Sequence, residues 1–261
     1  MADSSFLHAE LKDLKTRCEK IVAGSTLVAC VPQVVQVKIS RTEFKELTAH
    51  FQFPTDYPSS PLTIELKSKP LDFKLLQGLE KVCTDEVKKY VTKQQVMPML
   101  LFIRKFIDDN PLCVCRGEVA HIQKNLLEPG DALKLKQKTS QISLTICGGQ
   151  YFIKMLFTVP DLYPLEKLGV ECVDHNFPEL FKQNFFGQCV EIARRCVEPP
   201  LRKNPKAPPF QPKPSLQEIA DFLFTNCVKR YHKEPCPYCK NQALPTNSKA
   251  SILLVIYDYH F

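Results

Sequence analysis

The chain has 261 residues, 44% apolar and 24% charged, which excludes a disordered polymer and is enough to build two domains of ordinary size. The formal charge of +7 comes from lysines interleaved with Glu and Asp rather than from one basic block, so a nucleic-acid partner is not expected. No apolar run reaches the ~20 residues of a membrane span, so no membrane partner is expected either, and the polar residues 1–6 are read as carrying no secretion signal. The twelve cysteines fall mostly singly at apolar-periodic positions such as Cys83, Cys189, Cys196 and Cys227. That pattern predicts reduced core thiols in a cytoplasmic or nuclear protein rather than a disulfide framework.

Leu7, Leu11, Leu14 and Cys18 recur at helical spacing and predict an amphipathic opening helix. Residues 26–31 and 34–39 are rich in β-branched side chains, and residues 47–53 and 62–66 alternate, which predicts four strands in a meander. Beyond Pro70 the period changes to 3.6 through Leu75, Leu76, Leu79, Cys83 and Val87, and a further helix is predicted to start at Pro98. The second half follows the same order. Val119, Ile122 and Leu126 predict a helix, residues 133–135, 142–146, 151–159 and 168–173 predict strands, and helices are predicted to open at Pro178 and at Ser215. Ser215 with Glu218 reads as a capping box. The proline-rich residues 199–214 between those last helices predict an exposed loop: either an extended connector or a recognition segment for a proline-binding or acidic partner.

Pro54-Thr55-Asp56-Tyr57-Pro58 recurs as Pro160-Asp161-Leu162-Tyr163-Pro164, 106 residues later and again at the end of an alternating strand. The prolines stop strand pairing, and each tyrosine is expected to pack its ring while its hydroxyl finds a partner. Pro54, Tyr57, Pro58, Pro160, Tyr163 and Pro164 are therefore read as architecture rather than chemistry.

The order of helix, four-stranded meander, Y-P turn and two helices resembles the RWD domain, a non-catalytic relative of the ubiquitin-conjugating fold. Phe51-Gln52-Phe53 leading into the Y-P turn, with Pro61 trailing, carries the likeness; the second copy has Lys167 where the trailing proline would stand. The resemblance implies an α+β protein of two tandem RWD-like domains at 1–112 and 116–232, with a zinc-knuckle-like segment and apolar tail at 233–261. The arrangement is similar to the docking region of RING-type ubiquitin ligases such as the Fanconi anaemia ligase. It implies a non-catalytic module that docks a conjugating enzyme or a substrate. The alternatives are a cysteine-dependent conjugating enzyme and a structural adaptor outside the ubiquitin pathway.

A conjugating enzyme needs an exposed cysteine beyond the fourth strand and an Asn to stabilise the oxyanion. The first copy has neither, whereas the second offers Asn176 and Cys189. Cys189, however, falls on an apolar stripe with Phe185 and Ile192, where burial raises a thiol's pKa. His175 beside Asp174, with Asp72 or Asp161 as partners, has no third group at motif spacing. Near the C-terminus, Cys236-Pro237-Tyr238-Cys239 has the spacing of a zinc knuckle, with His232 as a third ligand and His260 as a remote fourth. Cys113 and Cys115 are too closely spaced to complete it convincingly. Three readings stay open: a complete zinc site, a truncated finger or RING remnant, and a redox or incidental pair. The apolar residues 251–261 are expected to add a strand to a sheet edge or to remain exposed.

Overall fold

The computed structural model describes residues 4–200, 208–231, 233 and 235. The chain divides into two units: residues 1–117 with 161–163, and residues 118–160 with those from 164 onward. Among the described residues no helix is long and apolar enough to cross a membrane.

In the first unit, α1 (Ser4–Ile21) buries Leu7, Leu11, Leu14 and Cys18, the stripe its periodicity predicts. β1 (Ser25–Val31), β2 (Val34–Thr42), β3 (Lys45–Gln52) and β4 (Thr63–Lys67) form an antiparallel sheet in sequential order. Alternation turns Val35, Val37 and Ile39 of β2, Leu47, Ala49 and Phe51 of β3, and Ile64 and Leu66 of β4 into the core. α2 (Phe73–Val87) starts where the Asp72 carboxylate accepts hydrogen bonds from the Lys74 and Leu75 amides at 3.0 and 3.2 Å. α3 (Val96–Asp109) packs on β2 and β3 and buries Met99, Leu100, Ile103 and Ile107. It begins two residues before the predicted Pro98, because its first amides are capped from α1, as described below.

Gly24 joins α1 to β1 at φ +70°, and a Cβ there would lie 2.1 Å from the Ser40 carbonyl oxygen. That carbonyl also accepts a 3.1 Å bond from Arg104, so it is not free to move aside. Gly24→Ala is expected to lower stability by about 2 kcal/mol or more in a denaturant titration, from left-handed strain plus the clash.

In the second unit, α4 (Arg116–His121) runs on into a π-helical turn, Ile122–Leu126. A second antiparallel sheet follows in sequential order: β5 (Ala132–Lys136), β6 (Gln141–Gly148), β7 (Tyr151–Thr158) and β8 (Gly169–His175). α5 (Glu179–Val197) packs on β8. α6 (Leu216–Phe222) continues through a π-helical segment, Leu223–Val228, into α7 (Lys229–Tyr231), and this stretch lies against β6 and β7. The His121 ring nitrogen Nε2 sits 3.0 Å from Asp221 Oδ1, tying α4 to α6.

The predicted capping box does not form. The Ser215 side chain makes no cap bond to α6, and Glu218 pairs with Lys213 at 2.8 Å. Glu118 of α4 instead accepts from the Gln217 amide at 2.9 Å. Residues 208–214 have no regular secondary structure and are exposed apart from the half-buried Pro212; residues 201–207 of the proline-rich stretch lie outside the described residues.

The two sheets repeat one pattern. β3 and β7 alternate identically, with Leu47, Ala49 and Phe51 matched by Ile153, Met155 and Phe157 at the 106-residue separation of the Y-P turns.

Candidate functional site

Only about 1% of Tyr57 is exposed, and its ring packs on Phe53 and Phe6 with centroids 4.9 and 6.1 Å away. Its hydroxyl donates to the buried carboxylate of Glu10 on α1. The same carboxylate accepts from the amides of Gln95 and Val96 at 2.9 and 3.0 Å, and so caps α3. Gln95 completes the network: its Oε1 accepts from the Leu62 amide at 2.9 Å, and its Nε2 donates to the carbonyls of Pro58 and Ser60 at 3.3 and 3.1 Å. Buried polar groups are tolerable when matched in this way. Burial raises the Glu10 pKa, while the Tyr57 and amide bonds pull it the other way; burial, then Glu10 itself, raises that of Tyr57. Pro54, Tyr57 and Pro58 thus belong to a joint between α1, the loop after β3 and the start of α3, and the Tyr57–Pro58 peptide bond is cis. Tyr163, between Pro160 and Pro164, is equally buried.

Of the catalytic candidate pair, Cys189 is buried and Asn176 is tied into the sheet end. Cys189 lies on the inner face of α5 with no exposed surface, and burial pushes its thiol pKa up. Its equivalent at the 106-residue separation is Cys83, buried without exposure in α2, its thiol pushed up to about 12. Both thiols lie on the buried face of a helix, where a cysteine packs as a small apolar side chain. Asn176 ends β8 by extending its ladder to β7. Its backbone N–H donates to Phe152 O at 3.2 Å, its Oδ1 accepts from Phe152 N at 2.6 Å, and its Nδ2 donates to Gln150 O at 2.7 Å. One N–H of that amide is thus spent on the β7 turn, and its oxygen is spent on the ladder. His175 donates through Nδ1 to Phe177 O at 3.1 Å, and Asp72 is occupied as the α2 cap.

His232, Cys236, Cys239 and His260 lie outside the described residues, as do residues 251–261. Among the described residues no group of three or more His, Cys, Asp or Glu side chains is placed to hold a metal ion. Cys113 and Cys115 are buried in a 3₁₀ turn.

A family model described as the RWD domain matches residues 10–110. An RWD domain is found there. The match opens on Glu10, the carboxylate of the buried joint, and closes on Asn110, the residue that ends α3. No curated protein matches the chain. The RWD domain is a protein-interaction module on the ubiquitin-conjugating fold.

Glu10 and Glu118 are buried capping carboxylates that the pattern of elements did not single out. A signal was present: Glu10 stands three residues after Leu7 and four before Leu14, on the apolar stripe itself, and Glu118 stands four before Ile122. A carboxylate on a core stripe needs buried donors.

Proposed function

We propose that this protein is a non-catalytic interaction module that docks a ubiquitin-conjugating enzyme or a ligation substrate, as a RING-type ligase or a fragment of one. The RWD domain at residues 10–110 is the observation that carries this reading. In the same proposal the second unit is a second RWD-like domain, an arrangement like that of the Fanconi anaemia ligase. What supports it is the repeated sheet order, the matched alternation of β3 and β7, the buried Tyr163, and a helix capped by Glu118 as α3 is capped by Glu10.

Docking is tested by capture of purified ubiquitin-conjugating enzymes on the immobilised intact chain; if none is retained, the adaptor reading outside the ubiquitin pathway takes over. The non-catalytic claim has its own test. Incubated with ATP, an activating enzyme and labelled ubiquitin, the chain is expected to form no reducible adduct. An adduct that disappears in Cys189→Ser would assign the chain as a conjugating enzyme instead.

The proposal extends to the C-terminal segment, where Cys236 and Cys239 with His232 hold Zn²⁺, and to an address in the cytoplasm or nucleus. Thiolate pairs at C-x-x-C spacing converge on one tetrahedral ion, which is the support for this part. Metal analysis of the purified chain is expected to find zinc that Cys236→Ser removes; a chain purified under reducing conditions without zinc would overturn it.

A further inference from the structure

Each sheet has two edge strands, and three of the four edges are blunted. On β1 the Leu27 amide donates to the Glu19 carboxylate at 2.9 Å, and a register shift between Leu27 and Ala29 bends the strand. On β4 the Leu66 amide donates to Glu80 of α2 at 2.7 Å. β8 has α5 packed on it, and its pairing with β7 skips Val173.

The fourth edge is β5. Its five residues pair with β6 in unbroken register, from Ala132 opposite Thr145 to Lys136 opposite Gln141. Among the described residues the only further hydrogen bond to its backbone runs from Thr139 Oγ1 to the Lys136 carbonyl at 3.5 Å. A regular edge with unpaired amides and carbonyls is a template for another strand.

The two faces of β5 define the strand that fits. On the core side Leu133 and Leu135 stand opposite Leu144 and Ile142, which are fully buried, yet Leu135 is 37% exposed. An apolar side chain on an added strand covers it. On the other side Lys134 and Lys136 are exposed and stand opposite the neutral Ser143 and Gln141. Neither lysine meets a carboxylate at ion-pair distance among the described residues. Two lysines on an edge repel a second copy of that edge, because like charges then face each other, and they attract carboxylates in the same places.

We propose that β5 binds an extended segment of a partner protein that alternates apolar and acidic residues, which adds a fifth strand to the second sheet. The segment's backbone pairs with β5, its apolar residues continue the stripe of Leu133 and Leu135, and its carboxylates lie beside Lys134 and Lys136. The inference rests on reading the protein as an interaction module and names the chemistry of one partner. Its affinity is expected to fall with added salt.

The test uses the intact chain and two fluorescent octapeptide probes, one alternating valine with glutamate and the other alternating valine with lysine, read by fluorescence anisotropy. The glutamate probe is expected to bind and the lysine probe is not. The Lys134→Glu, Lys136→Glu double variant is expected to weaken the glutamate probe at least about tenfold, while Lys67→Glu on β4 changes nothing. If the double variant misfolds by circular dichroism, Lys134→Gln with Lys136→Gln is expected to give a smaller loss of the same sign. Hydrogen exchange locates the probe: the outward amides of β5 are expected to exchange fast in the free chain and to be protected once the glutamate probe is bound. No binding of the glutamate probe, equal binding of both probes, or binding that survives charge reversal would overturn the proposal. So would protection of those amides before any probe is added, because the edge would then be taken by residues 251–261 or by a second copy. Because capture of conjugating enzymes is scored separately, failure here leaves the docking reading standing.

Discussion

Glu10→Ala is expected to destabilise the RWD domain by about 3–5 kcal/mol, because it strands two buried amides and a buried hydroxyl at once, each worth roughly 1–3 kcal/mol. The amides of Gln95 and Val96 and the Tyr57 hydroxyl all bond to this carboxylate, and none of the four residues reaches the surface. Glu10→Gln keeps the acceptor for the amides and is expected to cost far less. The pH dependence follows with a definite sign. Burial raises the Glu10 pKa above the ordinary 4.5, so the folded chain holds this proton at pH values where the unfolded chain has released it. The contribution of Glu10 to stability is therefore full below 4.5 and is lost as pH rises through the raised value. Carboxylates held low by cations, such as Glu218 beside Lys213, contribute with the opposite sign. The difference between wild type and Glu10→Gln isolates the buried group. Urea titrations across this range should show wild type losing stability relative to Glu10→Gln as pH rises; a difference that stays flat would refute the buried-carboxylate account.

Asp131→Ala is the second large effect, expected at about 3–4 kcal/mol in the second unit. The Asp131 side chain has no exposure. It accepts from the Glu128 and Cys147 amides, both at 2.8 Å, and from Lys229 Nζ at 3.0 Å. Removing it opens the turn before β5 and the end of β6, and leaves Lys229 of α7 with Glu128 at 2.9 Å and the Phe224 ring at 5.9 Å. Asp131→Asn keeps one carbonyl acceptor and should lose about half as much. Hydrogen exchange reads this directly: the Glu128 and Cys147 amides are expected to exchange faster in Asp131→Ala, and unchanged protection at both would show that the carboxylate does not hold them.

Much of the fold was legible because the chain alternates and turns by local rules. Val35, Val37 and Ile39, and the leucines of α1, show their period whatever they pack against, and each Y-P turn marks a strand end by a proline that cannot pair. The helices predicted to open at Pro178 and Ser215 start there, whereas the α3 start and the α6 cap differ for one physical reason. A cap can be supplied by any acceptor that tertiary structure brings near: Val96 opens α3 because of a carboxylate 86 residues earlier, and α6 uses one 99 residues before Gln217. Ser215 and Pro98 carried the right local chemistry, yet the fold placed the bonds elsewhere.

The Cys189 and Asn176 pair divides in the same way. The apolar stripe around Cys189 already predicted burial, whereas nothing in the sequence reveals that the Asn176 side chain bonds to Gln150 and Phe152, since that depends on how β8 ends against β7. The packing of Tyr231 of α7 on Phe181 and Phe185 of α5 was invisible for a stronger reason: these rings become neighbours only when both helices have packed. Sequence alone determined the elements, their order, the repeat and the likeness to an RWD domain, because these follow from the period of apolar side chains and the stiffness of proline. Only the tertiary structure decided which buried polar groups meet which partners, because a hydrogen bond between distant residues leaves no trace in local pattern.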